Sequence, residues 1–153
     1  MSTPKNELIL MAEDDADDRL LVRDALAECG VKDKVRFVAD GQELMDYLLR
    51  RGQYTVATDA PRPGLILLDL NMPRKDGREA LREIRAHPEL SRVPVVVFTT
   101  SRADADVGKM YDLGANSFVA KPAAFDELVN TIQGVLRYWF GIVELPAQKN
   151  SAL

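Results

Sequence analysis

The chain has 153 residues, 46% of them hydrophobic and 29% charged, which suits one domain with a packed core and is too apolar for general disorder. A single Cys29 and a single His87 exclude an internal disulfide and a zinc site built from Cys and His. The formal charge of -4 excludes the generally basic surface that nucleic acid requires.

Leu8 to Ala12 is the first of five short apolar runs expected as strands, most of them buried on both faces. Glu13, Asp14, Asp15, Asp17 and Asp18 follow it; without those five the chain has 19 acids against 20 bases, so one run accounts for its acidity. Asp15 and Asp17 read as helix-start charges and Asp18 as part of a solvated face. Val22, Ala25 or Leu26, and Cys29 then recur with helical spacing as far as Gly30. Val35 to Ala39 is a weaker second strand, and Leu44, Met45, Leu48 and Leu49 share one face of a second helix. Residues 52–64, with Pro61 and Pro63, form a long surface loop. Leu65 to Leu68 is the third strand and ends in Asp69; Ala80, Leu81 and Ile84 mark a helix that stops near Pro88. Val93 to Phe98 is the fourth strand, followed by Thr99, Thr100 and Ser101. A weaker helix over 104–113 stops at Gly114, and Phe118 to Ala120 is a fifth strand that runs into Lys121-Pro122. The last helix is long and carries Phe125, Leu128, Ile132, Leu136 and Trp139, of which Leu128, Ile132 and Trp139 follow core spacing.

Five alternations of strand and helix imply an α/β fold, a doubly wound (βα)5 parallel sheet of flavodoxin-like layout with an extended C-terminal helix. Residues 1–143 form the single domain and 144–153 a tail. No run approaches the ~20 apolar residues of a membrane helix, and the segment before Leu8 is polar, so the expected location is the cytoplasm.

Ligands of such sheets bind at the carboxyl ends of the strands. Glu13 and Asp14, Asp69, Thr99 and Lys121 all fall there. Each alone is ordinary: a cap, a turn-former, a β-former, a solvated lysine. Together, three carboxylates in one small volume repel by about 1 to 4 kcal/mol per pair unless a cation sits among them. An all-oxygen donor set suits Mg²⁺, or Mn²⁺. Lys121 adds a fixed positive charge and Thr99 a hydroxyl, which completes a cradle for a phosphoryl group with Asp69 as nucleophile.

With Glu13-Asp14, the run Asp69 to Gly77 (Asp-Leu-Asn-Met-Pro-Arg-Lys-Asp-Gly), Thr99 and Lys121-Pro122 in this order, the chain resembles the receiver domain of two-component response regulators from about Glu7 to Val135. The resemblance implies that Asp14 ligates the metal directly, Glu13 mainly through water, and Asp69 and the Asn71 backbone carbonyl complete its shell. It implies that Asp69 accepts the phosphoryl group from a sensor histidine kinase, that Thr99 and Lys121 hold the phosphoryl oxygens, and that Phe118 is the aromatic switch residue paired with Thr99. The protein would then be a signalling phosphoacceptor that catalyses only its own phosphorylation and dephosphorylation. The 52–64 loop and the run Tyr138 to Pro146 are similar to single-domain regulators of bacterial phytochrome kinases. Departures from the family pattern are Glu13 for Asp, Phe118 for Tyr, Thr100 for Ala, the small Ala123, and Leu70 for an aromatic beside the acceptor.

Too little chain follows Val135 for an effector domain, so output must come from protein binding, not from direct nucleic-acid contact. Val129, Val135, Tyr138, Ile142 and Val143 lie at other angles of the last helix, with Tyr, Trp and Phe as anchors, and a homodimer through that helix is expected. A haloacid-dehalogenase-type phosphatase would need an acid where Asn71 stands. A flavodoxin-like cofactor binder would need a Ser/Thr/Gly-rich phosphate loop where five acids stand.

Overall fold

The computed structural model describes residues 7–56, 60–100 and 104–146. Five strands alternate with five helices: β1 (Ile9–Ala12), α1 (Ala16–Glu28), β2 (Val35–Val38), α2 (Gly41–Leu49), β3 (Leu65–Leu68), α3 (Gly77–Ala86), β4 (Val95–Thr99), α4 (Asp104–Asp112), β5 (Ser117–Ala120) and α5 (Phe125–Arg137). The strands make one parallel sheet in the order β2-β1-β3-β4-β5, the doubly wound layout expected from the alternation. Successive side chains point to opposite faces. Leu10, Ala12, Ile66, Leu68, Val95 and Val97 therefore pack under α2, α3 and α4, while Ile9, Met11, Leu65, Leu67, Val96 and Phe98 pack under α1 and α5. The inner strands β1, β3 and β4 are buried throughout, which is why they read as unbroken apolar runs.

Each of the first three helices starts on an aspartate whose carboxylate accepts from first-turn N–H groups: Asp15 from Asp17 and Asp18, Asp40 from Glu43, Asp76 from Glu79. The carboxyl edge of the sheet is thus stitched to the helices by acids, and Asp15 has the capping role expected of it. β4 begins two residues later than expected, because Pro94 has no N–H to give a ladder. Within the 52–64 segment, Gly52–Tyr54 makes a 3-10 turn, the Tyr54 hydroxyl donates to Glu43 Oε2 at 2.6 Å, and the Tyr47 hydroxyl donates to Pro61 O at 2.8 Å.

Helix α5 departs from expectation in part. Leu128 and Ile132 are buried as their core spacing predicts, and Phe125 is 37% exposed. After Arg137 the chain widens into a π-turn, Tyr138–Ile142, with Val143 N donating to Tyr138 O at 3.0 Å. Val129, Val135, Leu136, Trp139 and Phe140 pack against the α1–α5 core layer, so Val129 and Val135 do not form a separate outer face. Of the outer set, Tyr138 and Ile142 stay open to solvent, 49% and 64% exposed. Ser101 and residues 147–153 of the tail lie outside the described residues. No helix among the described residues is long and apolar enough to cross a membrane.

Candidate functional site

Register puts the chemistry at one level of the sheet. Ala12 pairs with Leu68, and the next residue on each strand is an acid, Glu13 and Asp69. Asp69 N donates to Ala12 O at 3.1 Å and Glu13 N to Val38 O at 2.9 Å, which holds both just beyond the sheet edge. Thr99 pairs with Ala120, and Lys121 N donates to Thr99 O at 2.8 Å. Strand order then places β1, β3, β4 and β5 side by side, so all four side chains meet in one crevice.

Thr99 Oγ1 donates to Asp69 Oδ1 at 2.8 Å, and both side chains are buried. The Lys121 ammonium bonds Glu13 Oε1 and lies 3.8 Å from Asp69 Oδ2. It also lies 3.5 Å from Asp18 Oδ2, so Asp18 is not simply part of a solvated face. Burial pushes the Glu13 carboxyl up to about 7; Lys121 opposes the rise and Asp69 adds to it. Burial pulls the Lys121 ammonium down, but Glu13, Asp69 and Asp18 together more than offset this and leave it above the ordinary lysine value. Oxygens of Glu13, Asp14 and Asp69 lie within 4.8 Å of one another, and Asp14 is exposed while the other two are buried. Such an all-oxygen set, half open to water, fits a hard divalent cation that keeps part of its hydration shell.

The loop after Asp69 is pinned at several points. Gly77 N donates to Leu70 O at 2.9 Å, and Gly41 N donates to Lys75 O at 2.8 Å. A Cβ on Gly77 would fall 2.2 Å from Asp69 O, so only glycine lets α3 start this close to the acceptor. Arg74 has a left-handed φ of 63°, and its guanidinium grips the buried Asp40 carboxylate through Nε at 2.8 Å and Nη2 at 2.6 Å. This braces the loop that carries Asn71 against the start of α2; Asn71 itself is exposed. Neither the brace nor the Asp18 contact follows from the sequence reading. Nothing in a linear sequence ties Arg74 to Asp40, whereas Asp18, one turn beyond the cap Asp15, carries a faint signal.

Phe118 is half-buried, faces the α2–α3–α4 layer and pairs in register with Val97, two residues before Thr99. Thr100 and Ala123 are exposed, and Leu70 is fully buried. The structure therefore gathers Glu13, Asp14, Asp69, Thr99 and Lys121 into one crevice, with Phe118 along the neighbouring strand. The crevice can hold a cation on one side and an anionic tetrahedral group between Thr99 and Lys121.

The model of the response regulator receiver domain matches residues 9–133. Response regulator Rcp1 of Synechocystis sp. is 40% identical over 141 residues, 92% of this chain and 94% of that protein. The crystal structure of the phosphorylated cyanobacterial phytochrome response regulator RcpA is 41% identical with a TM-score of 0.84, covering 94% of this chain and all (100%) of that one. The Mn²⁺-bound form of Rcp1 is 40% identical with a TM-score of 0.82, covering 92% of this chain and 99% of that one.

Proposed function

We propose a phosphoacceptor role on one premise: the chain belongs to the response regulator receiver domain family, as the receiver of a two-component response regulator close to the phytochrome regulator Rcp1. In this role Asp69 takes a phosphoryl group from the phosphohistidine of a sensor histidine kinase. One observation carries it: the buried Asp69 carboxylate stands 2.8 Å from the Thr99 hydroxyl and 3.8 Å from the Lys121 ammonium, with the carboxylates of Glu13 and Asp14 beside it.

An Asp69 oxygen attacks phosphorus, the N–P bond of the phosphohistidine breaks, and neutral imidazole leaves. Lys121 offers its charge and Thr99 its proton to the phosphoryl oxygens that then sit between them. Because the Thr99 hydroxyl already bonds Asp69, it stays with the group that Asp69 acquires. Phe118, packed under α4 and one strand away, is the residue that repacks when Thr99 moves. Glu13, Asp14, Asp69 and the Asn71 carbonyl would hold Mg²⁺, with Mn²⁺ as a substitute; the Mn²⁺-bound form of Rcp1 supports a divalent cation here. That cation supplies charge neutralisation at the transferring oxygens.

The kinase is a phytochrome-type sensor in this reading, supported by the phytochrome regulators Rcp1 and RcpA among the relatives. Residues 1–143 act as one receiver with 144–153 as its tail, in the cytoplasm. Output passes through protein contact without direct nucleic-acid binding, and exposed Tyr138 and Ile142 at the end of the last helix anchor a homodimer.

The test is covalent labelling with acetyl phosphate and Mg²⁺, followed by intact mass. The wild type should gain one phosphoryl group and Asp69→Asn none. Equal labelling of both would overturn the assignment.

A further inference from the structure

Three carboxylates lie within 4 Å of the Lys121 ammonium, and they are not equivalent. The Glu13 and Asp69 side chains are 1% and 9% exposed, whereas that of Asp18 is 38% exposed. Asp18 is therefore the solvent-side member of the set. Its place in the first turn of α1 gives it an ordinary role beside the helix dipole. That role does not require a reach to Lys121. Nor is Asp18 needed as a cap, because Asp15 already accepts from Asp17 N and Asp18 N.

We propose that Asp18, held beside Lys121 on the solvent side of the crevice, discriminates among phosphoryl donors by their charge. The inference rests on the phosphoacceptor reading of Asp69. Asp18 Oδ2 and Asp69 Oδ2 stand 3.5 and 3.8 Å from one shared nitrogen, so they lie inside the ~8 Å screening length of physiological salt. A phosphoryl group arriving from solvent between Asp69 and Lys121 meets the Asp18 charge on the way. A donor carrying two negative charges is repelled about twice as strongly as a donor carrying one. A zwitterionic or weakly charged donor, such as a phosphohistidine presented by a protein, is disfavoured least.

Acetyl phosphate and phosphoramidate separate the effects. With the first, the Asp69 oxygen bonds to phosphorus, the P–O bond to the acetyl group breaks and acetate leaves. With the second, the P–N bond breaks and ammonia leaves; its protonated nitrogen gives it one less net negative charge. At low ionic strength Asp18→Asn should label about fourfold faster than wild type with acetyl phosphate and only about twofold faster with phosphoramidate. Asp18→Glu, which keeps the charge, should retain the wild-type ratio between the two donors. High salt should bring Asp18→Asn close to wild type for both. An equal change for both donors at low salt, or a difference that survives high salt, would overturn the inference while leaving Asp69 as acceptor. A wild type that neither donor labels would overturn the phosphoacceptor reading, and this inference with it.

Discussion

Removing the Lys121 ammonium would leave Glu13 and Asp69 as buried carboxylates facing each other without a cation. A buried charge stripped of its partner costs far more than the pair was worth. Lys121→Met should therefore lower the stability of the metal-free protein by about 3 kcal/mol in urea denaturation, and Mg²⁺ should narrow the deficit. Gly77 is sensitive for a steric reason. The Cβ of Gly77→Ala would meet Asp69 O, so that variant should lose about 2 kcal/mol or more and label more slowly. Tyr54 gives the pH case. Burial first, then the hydrogen bond to Glu43, raise its hydroxyl above the ordinary value near 10. A raised pKa means the folded state keeps the proton, so this contribution is complete below pH ~10 and is lost as pH rises beyond it. Denaturation midpoints measured from neutral to alkaline pH should fall less steeply for Tyr54→Phe than for wild type.

At the level of elements, the doubly wound order is legible because the inner strands are buried on both faces and carry unbroken apolar runs. The site residues are legible for a related reason. Each follows or ends a strand, so register alone brings Glu13, Asp69, Thr99 and Lys121 level. What escapes is side-chain reach across elements. Arg74 and Asp40 are 34 positions apart, and only the folded β3–α3 loop brings them together. The last helix misleads for a different reason: α5 packs against α1 as well as the sheet, so Val129 and Val135, at other angles of the wheel, are covered too. The brace has a measurable value. Asp40→Ala removes both the α2 cap and the Arg74 contact and should cost about 2 kcal/mol, more than the ~1 kcal/mol of an ordinary cap. A double-mutant cycle with Arg74→Ala should assign the excess to the pair.

For the whole molecule, the proposed phosphoryl site and the proposed dimer surface lie at different places. The phosphoacceptor crevice is at the carboxyl edge of the sheet. α5 starts near that edge and carries the chain about 20 Å away over 13 residues, to Tyr138, Trp139 and Ile142. Mg²⁺ should therefore quench the Trp139 fluorescence only slightly, and strong direct quenching would contradict this separation. Light scattering at tens of micromolar should find a dimer that Tyr138→Ala and Ile142→Ala weaken; a monomer with and without a phosphoryl analogue would remove the dimer from the account. The phosphoacceptor role turns on a single bond, the acyl phosphate at Asp69. Borohydride reduces an aspartyl phosphate to homoserine, so reduction after labelling, followed by tandem mass spectrometry of the peptides, reads its position directly. Homoserine at position 69 is the result expected, and homoserine at position 14 or 18 with an intact Asp69 would contradict it.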